Sequence, residues 1–414
     1  MTAPASSTTP LMSERRVSLI GALLVAIGPV SMAIYTPAMT ELVQAFGVSP
    51  SSVKMTLTLY FGGFALAQLV AGPLSDALGR RPIIIAFMGI YCAASLLALV
   101  APDIETLMTA RFLQGVGASA GVAISRALVR DLFKGEESSR IMNLIGIILA
   151  LGPALAPSIG GALLGLFGWR STFVVMLAMG LGIISVAIFA LRETVTPDRS
   201  RLNIRKLAGT YVMLLGHRHF MATALVMSGA LGALYAQATF LPFILMDRVG
   251  LSPAQFGLGM LMQSGFFFAS SLAVRYLMAR TSAYNLVAPG LGFILLGSLG
   301  TLSLTLGALS FLHVMIPVAI YAVGIAFIMP AMSTAALAPF GREAGAAASM
   351  LGFLQMGSGL LIGSLGALMG DTVQAMALLI PLMGLTACIA YLVYRSHPHL
   401  AEPEPRAVMP APRG

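Results

Sequence analysis

Long apolar runs, separated by short polar or Gly/Pro-containing breaks, repeat along the whole chain. A helix needs about 20 predominantly apolar residues to cross the hydrocarbon core of a bilayer, and twelve runs approach or exceed this length. The pattern therefore predicts an all-α integral membrane protein with twelve transmembrane helices, near 17–39, 53–73, 83–101, 106–128, 140–165, 171–191, 220–245, 254–279, 285–307, 311–336, 345–367 and 373–394.

The longest polar stretch between these runs, residues 192–219, lies at the middle of the chain. It divides the predicted helices into two six-helix bundles, residues 17–191 and 220–394, joined by a cytoplasmic linker. Residues 1–16 and 395–414 are predicted to be cytoplasmic tails. The first apolar run is long enough to span a membrane, so we interpret it as a retained helix and not as a signal peptide.

The distribution of basic residues predicts how these helices are oriented. If the N-terminus is cytoplasmic, 20 of the 24 lysines and arginines fall in cytoplasmic segments, and only Lys54, Arg170 and Arg248 fall on the opposite side. This asymmetry is typical of membrane proteins with a positive inner face and predicts that both termini are cytoplasmic. The net charge of +9 then follows from topology, so the expected macromolecular environment is the lipid bilayer and not nucleic acid.

Composition also limits the chemistry. The chain is 58% hydrophobic and 9% charged, whereas soluble domains carry about 25% charged residues. The two cysteines lie within apolar runs and the five histidines are scattered, so we expect no disulfide framework, no metal and no cofactor. Catalytic motifs and phosphate-binding loops are missing from the sequence. We therefore expect a transporter driven by a gradient and not an enzyme.

The segment "GPLSDALGRRP", between the second and third predicted helices, is a charged turn. Gly72 allows close approach to a neighbouring helix, and Gly79 permits a backbone conformation that other residues avoid. Arg80 and Arg81 are expected to hold the turn at the headgroups. Asp76 is unusual at a positive face, and we expect it to cap a helix N-terminus or to pair with an arginine.

These five residues resemble the signature loop of the major facilitator superfamily. The resemblance implies the major facilitator fold, in which two six-helix bundles rock around a central cavity. It also implies that Asp76 contacts the start of the eleventh helix, near Gly345, and basic residues at the end of the fourth helix, Arg126 or Arg130. The alternative is an ordinary positive-inside turn with no gating role.

Two further motifs narrow the resemblance. The fourth helix begins "RFLQGVG", which resembles the Arg-x-x-Gln-Gly motif of proton-coupled members. The fifth contains "LGPALAPSIGG", which is similar to the Gly/Pro signature of drug/proton antiporters of the bicyclomycin/chloramphenicol-resistance (Bcr/CflA) type. The paired glycines are expected to let this helix pack closely against the other half; the alternative is ordinary Gly/Pro enrichment of membrane helices. The matching positions are Gly152, Pro153, Pro157, Gly160 and Gly161.

The resemblance implies that the first, fourth, seventh and tenth helices line the cavity. Arg111 lies about five residues into the fourth helix, and an intramembrane charge is by default a functional group; the alternative is that it extends to the headgroups. Gln114, one turn later, is expected to share its ligand. Weaker cavity candidates, each of which is alternatively a packing residue, are Tyr35, Tyr235, Gln237, Phe240 and Tyr321.

The resemblance therefore implies a monomeric secondary transporter of the bacterial inner membrane that exports small organic compounds in exchange for protons. A proton-coupled or facilitated transporter of a metabolite on the same fold is the alternative. One departure bears on the mechanism. Exporters of this type carry an acidic residue four positions before the proline of the first helix, and here that position is Ala33. We therefore expect neutral, zwitterionic or anionic substrates, and coupling that is weak or passes through a peripheral carboxylate such as Glu41.

Overall fold

The computed structural model describes residues 11–133, 135–198, 204–341 and 343–396. Parts of the predicted tails and linker lie outside the described residues, namely 1–10, 199–203 and 397–414, and so do Lys134 and Arg342. The side chain of Pro153 also lies outside them.

The described residues form fourteen α-helices, which we number in chain order. They are α1 (Glu14–Ala33), α2 (Met39–Phe46), α3 (Pro50–Leu78), α4 (Arg80–Leu99), α5 (Ile104–Leu132), α6 (Gly135–Phe167), α7 (Arg170–Phe189), α8 (Ile204–Gly216), α9 (Arg218–Pro242), α10 (Pro253–Met278), α11 (Val287–Leu302), α12 (Phe311–Leu337), α13 (Ala344–Leu368) and α14 (Thr372–Arg395). A π-helical turn, Phe243–Arg248, extends α9.

Twelve of these segments correspond to the predicted membrane crossings. Eleven are long and apolar enough to cross a membrane by length and composition. The twelfth is α6, which contains 33 residues. The predicted all-α membrane fold is therefore confirmed.

The first crossing differs from the prediction of one continuous helix. α1 ends at Ala33, a short 3-10 turn covers Thr36–Ala38, and α2 then continues to Phe46. Pro37 lies in that turn, and proline disrupts a helix because it has no backbone N–H group and its ring clashes with the preceding turn. The α-helix of the first crossing is thus interrupted by a 3-10 turn.

The linker also differs from the predicted polar connection, because it contains α8. Tyr211 of α8 donates a hydrogen bond from its hydroxyl to the carbonyl oxygen of Leu69 on α3, at 2.5 Å. Burial raises the pKa of Tyr211 to about 12, so the hydroxyl remains a donor at neutral pH. Leu214 is buried in the core of the second half. The linker helix is therefore packed against both halves.

The apolar core falls into two clusters. One is formed almost entirely by residues up to Leu191, and the other by residues from Leu214 onward. We call the two corresponding helix groups the N-terminal and C-terminal bundles. The inner face is the end of the molecule where α1 begins at Glu14 and α14 ends at Arg395, and the outer face is the opposite end.

Candidate functional site

At the inner face, the turn between α3 and α4 is built around Gly79. Its φ of +100° lies in a region that side chains disfavour. A Cβ atom on Gly79 would also lie 2.6 Å from the Oε2 atom of Glu193. The two carboxylate oxygens of Glu193 accept hydrogen bonds from the backbone N–H groups of Arg80 and Arg81, at 2.9 and 3.0 Å. Glu193 therefore caps the N-terminus of α4, where a carboxylate is favoured by unpaired N–H groups and the helix dipole.

The Arg80 side chain is turned into the protein. It is 3% exposed and forms an ion pair with Asp76 of the same turn. Its Nε donates to Asp131 at the end of α5, at 3.2 Å, and its Nη1 donates to Ser75 at 2.6 Å. Thr194 also donates to Asp131, at 3.1 Å. Arg80 therefore connects α3, α5 and the segment after α7 within the N-terminal bundle.

This arrangement corrects two expectations. Arg80 does not hold the turn at the headgroups, because its guanidinium has carboxylate partners inside the protein. Arg81 donates to the carbonyl oxygens of Ala187 and Ile188, at 3.0 and 2.8 Å, and so satisfies the C-terminus of α7.

The expectation for Asp76 is met in part. It pairs with an arginine, as one alternative required, but that arginine is Arg80 of its own turn. No ion pair with Arg126 or Arg130 is found among the described residues, and Arg130 is exposed. The contact of this turn with the C-terminal bundle is made instead by Gly72, whose Cβ position lies 3.5 Å from the Ser349 hydroxyl of α13.

Near the outer face, α6 crosses α10 of the other bundle at very close range. A Cβ atom on Gly161 would lie 2.2 Å from the carbonyl oxygen of Pro253, and one on Gly257 would lie 2.5 Å from the carbonyl oxygen of Pro157. The Ser158 hydroxyl donates to the carbonyl of Gly257 at 2.9 Å. Any side chain at either glycine would force the two backbones apart.

The other glycines of this signature face the N-terminal bundle itself. A Cβ atom on Gly160 would lie 2.3 Å from the carbonyl oxygen of Ile34, just after the end of α1, and one on Gly152 would lie 2.9 Å from the side chain of Val30. The adjacent Gly160 and Gly161 therefore serve different contacts, one within a bundle and one between bundles.

A second crossing between the bundles joins α3 and α13. Gly363 faces Thr58 at 2.5 Å from its Cβ position, and Gly352 faces Gln68 at 2.2 Å. At the outer end, Lys54 is fully buried, and its Nζ donates to the carbonyl oxygen of Gly370 at 3.4 Å. The two bundles are therefore in contact along α3 and α13 and closed against each other at the outer face.

Arg111 occupies the interior of the N-terminal bundle. Its guanidinium carbon lies 4.3 Å from the ring centre of Tyr35 and 4.5 Å from that of Tyr60. Its Nη1 donates to the Oε1 atom of Gln114 at 2.7 Å, and the Nε2 atom of Gln114 donates to Ser95 at 2.8 Å. Arg111 and Gln114 therefore lie side by side and are joined by a direct hydrogen bond; a ligand shared by the two stays a prediction.

The surroundings of Arg111 differ from a cavity wall. Arg111 and Gln114 are both 0% exposed, so in this conformation they face the inside of their own bundle. Full burial also excludes the alternative that Arg111 extends to the headgroups. Helical spacing alone could not tell whether Arg111 faces the central cavity or the interior of its own bundle, because residues on the same face of α5 can do either.

The weaker cavity candidates are divided between packing and the space between the bundles. Tyr35 and Tyr321 are buried within their own bundles and donate or share hydrogen bonds with Thr56 and Gly229. Phe240 is buried against Gly366.

Two candidates and Glu41 have different surroundings. Gln237 accepts a hydrogen bond from Gln263 at 3.0 Å. Tyr235 is half-buried, and its ring centre lies 5.3 Å from that of Phe61 in the other bundle. Glu41, on α2, is half-buried near Gly168 at the outer face. Tyr235 is therefore the member of the set that contacts both bundles.

Several residues of these clusters were not predicted. Glu193 and Asp131 are acidic residues in otherwise basic inner-face segments, and this contrast is the sequence feature that could have identified them. Lys54 is the one lysine predicted at the outer side. Within the searched part of the chain, no group of three or more His, Cys, Asp or Glu residues is suited to hold a metal ion.

The family model and the similar proteins identify the same family for this chain. The model of the Major Facilitator Superfamily matches residues 21–367. Multidrug resistance protein D of Escherichia coli (strain K12) is 28% identical over 379 residues, which cover 89% of this chain and 93% of that protein. The bicyclomycin resistance protein homolog of Haemophilus influenzae is 30% identical over 378 residues, covering 90% and 93%.

A solved structure shares the fold. It is a bacterial homolog of the human lysosomal transporter Spinster in an inward-facing and occupied conformation. It matches with a TM-score of 0.72 at 15% identity, covering 94% of this chain and 98% of that one. The resemblance to the Bcr/CflA type, which the sequence motifs indicated, is confirmed by the named relatives.

Proposed function

This chain belongs to the major facilitator superfamily, a family of transporters and not enzymes, and we propose that it exports small organic compounds from the bacterial cytoplasm in exchange for protons. The names of the two relatives, which refer to multidrug and bicyclomycin resistance, support drug-like substrates. We place the inner face and both termini in the cytoplasm, in accord with the basic residues of that face. The working unit in this proposal is a monomer.

The observation that carries this proposal is the reciprocal crossing of α6 and α10 at the outer face. The two bundles meet there through backbone atoms, at Gly161 against Pro253 and Gly257 against Pro157. A contact made mainly by backbone atoms, with the single Ser158–Gly257 hydrogen bond across it, lets two rigid bundles separate and close again as units, which is what alternating access requires. In this proposal the substrate enters from the cytoplasm when the bundles part at the inner face.

The charged turn of the inner face is the second moving part in this mechanism. With the outer face closed, Asp76 is 43% exposed, and among the described residues its ion pair is with Arg80 of its own turn. When the inner face closes, Asp76 approaches the start of α13, next to the contact between Gly72 and Ser349. If Asp76 pairs with Arg80 in one state and contacts α13 in the other, it can shift the equilibrium between the two states of the transporter while each bundle keeps its own structure.

The space between the bundles indicates which substrates are accepted. Where the bundles meet, the ring of Tyr235 packs against that of the buried Phe61, and Met356 and Leu360 of α13 pack against the N-terminal core. Aromatic rings and flexible thioethers bind varied apolar molecules. Ala33 stands where exporters of the resembled type carry an acidic residue, so the first crossing offers no carboxylate to a cationic substrate at that position. We assign neutral and zwitterionic aromatic compounds as the preferred class, with Glu41 as the proton-coupling group.

A resistance panel in a bacterium that lacks its own efflux pumps tests the proposal. Expression of the chain should raise the inhibitory concentration of some neutral drugs, and a protonophore should abolish the effect. Ethidium should be exported less well than a neutral drug. A panel with no resistance to any compound contradicts the export function. Export of ethidium at the rate of a neutral drug contradicts the substrate class alone.

A further inference from the structure

The buried charge of Arg111 has no counter-charge among the described residues. The ion pairs formed there use Arg80, Arg140 and Arg248, and none uses Arg111. Transfer of a guanidinium from water to a protein interior costs several kcal/mol unless an opposite charge compensates it. Arginine keeps its charge in proteins, so this cost is not relieved by loss of a proton.

The hydrogen-bond donors of Arg111 are also only partly satisfied. Nη1 donates to Gln114 and lies 3.7 Å from the sulfur of Met176. Nε and Nη2 are buried and have no hydrogen-bond partner in the part of the chain that the structure describes; together they carry three N–H groups. The rings of Tyr35 and Tyr60 attract the cation through their π-electrons, but they bring no negative charge. One side of the guanidinium is thus left with free donors and an uncompensated charge.

We propose that the Nε and Nη2 atoms of Arg111 bind a small monovalent anion, chloride in the cell, as a resident counter-ion of the N-terminal bundle. One negative charge neutralises one guanidinium, and two N–H groups side by side converge on a single acceptor. Water could accept the hydrogen bonds but would leave the charge uncompensated. The surrounding Gln114, Tyr35 and Tyr60 are at most 1% exposed, which favours an ion of one atom over the carboxylate of an organic molecule.

Thermal unfolding of the purified full-length chain in detergent tests this site without any transport measurement. Sodium chloride replaces sodium gluconate at constant ionic strength, so that general salt effects stay fixed. A ligand that binds only the folded state raises the melting temperature with its concentration and with a defined affinity. We expect a rise that follows a single-site binding curve for chloride and a smaller rise for acetate.

The isosteric variant Gln114→Glu tests the location. It places a carboxylate where the Oε1 atom lies, 2.7 Å from Nη1 of Arg111, and so supplies an internal counter-charge. We expect the chloride-dependent rise to disappear in this variant and in Arg111→Gln. The matched control is Gln255→Glu in the capping box at the start of α10, where glutamate is a favoured residue; it should keep the chloride response of the wild type.

Three results would overturn the proposal. The first is a melting temperature that does not depend on chloride in the wild type. The second is an unchanged chloride response in Gln114→Glu, which would place any bound ion elsewhere. The third is an acetate response as large as that of chloride, which would show that the site is not restricted to an ion of halide size. Because Gln114→Glu keeps the shape of the side chain, the test does not depend on whether Arg111→Gln folds.

Discussion

Gly161 and Gly257 form a reciprocal contact between the two bundles: each touches the carbonyl oxygen of the proline that precedes the other by four residues. The spacing from Pro157 to Gly161 is repeated from Pro253 to Gly257. One turn of α6 is thereby set against one turn of α10, with the two backbones in direct contact at the glycines and one side-chain hydrogen bond, from Ser158 to Gly257, beside them. This contact closes the outer face and depends on the smallest residue at both positions.

Gly161→Leu should prevent this closure. The added side chain would have to displace the backbone of α10, and overpacking typically costs about 1–3 kcal/mol, enough to reverse a balanced two-state equilibrium. We expect transport to fall to a small fraction of the wild-type rate while the protein still reaches the membrane. Drug accumulation in cells, at equal expression, measures this effect.

The matched control for that substitution is Gly165→Leu, one turn later on α6. No atom lies within 4 Å of a Cβ atom on Gly165, so this variant adds the same side chain without the clash. We expect near-normal transport from it. Equal transport by the two variants would show that the contact at Gly161 is not needed for the cycle.

Glu193→Ala should lower stability more than an ordinary surface substitution. The change removes the acceptors of the Arg80 and Arg81 N–H groups, and loss of a helix N-cap costs about 0.5–2 kcal/mol. The measurement is thermal unfolding in detergent, with Glu105→Ala, an exposed glutamate at the outer face, as the control. A melting temperature equal to that of the control would mean that the cap is unimportant.

The membrane helices could be predicted from the sequence, whereas the capping contact of Glu193 could not. The membrane crossings depend on local runs of apolar residues, so their number and approximate positions were predictable. Glu193 lies 113 residues from Arg80 in the chain, and no local pattern connects them. The contacts of Gly161 were foreseen only as close packing, because the identity of the partner helix depends on how the bundles meet.

Arg111 shows the same limit for the candidate site. Its position on α5 and the proximity of Gln114 follow from helical spacing, whereas the direct hydrogen bond between them was not predicted. Whether that face of α5 meets the cavity or the bundle interior depends on the tilt of α1, α3 and α7, which the sequence does not encode locally. The side chains of Tyr35, from the turn after α1, and Tyr60, from α3, determine the outcome.

Asp76→Asn should leave the fold intact and impair transport. Arg80 keeps Asp131 and Ser75 as partners, so its buried charge remains compensated when Asp76 is neutral. The proposed partner exchange at the inner face, however, requires the negative charge. We expect an unchanged melting temperature together with a strongly reduced efflux rate. If transport is normal, or if it falls only in proportion to a loss of stability, Asp76 has no gating role.

Lys54→Glu should weaken closure of the outer face. The Lys54 ammonium donates to the Gly370 carbonyl of the other bundle, whereas a carboxylate there would face that oxygen and the nearby Asp371 with the wrong sign. The reporter is a cysteine introduced by Thr58→Cys at the α3–α13 crossing, and the probe is a membrane-impermeant maleimide added from the outer side. We expect this cysteine to be labelled faster when Lys54→Glu is also present. Arg248→Glu is the control, because Arg248 forms an exposed ion pair with Asp371 and such pairs contribute about 0–1 kcal/mol. Equal labelling rates in Lys54→Glu and the wild type would contradict a closing role.

Glu41→Gln should reduce proton-driven export without abolishing substrate binding. Glu41 is half-buried on α2 at the outer face, and α2 contacts the π-helical turn of the other bundle, where Thr40 lies 3.8 Å from the sulfur of Met246. A carboxylate beside a contact that opens and closes changes its exposure to water between the two states. Its proton affinity therefore changes as well, which is the thermodynamic requirement for coupling. In proteoliposomes with an imposed pH gradient we expect slower export by Glu41→Gln and an unchanged rate for Glu105→Gln, an exposed glutamate on the same face. Full acceleration of export by the pH gradient in Glu41→Gln would exclude Glu41 as the coupling group and leave the exporter assignment standing.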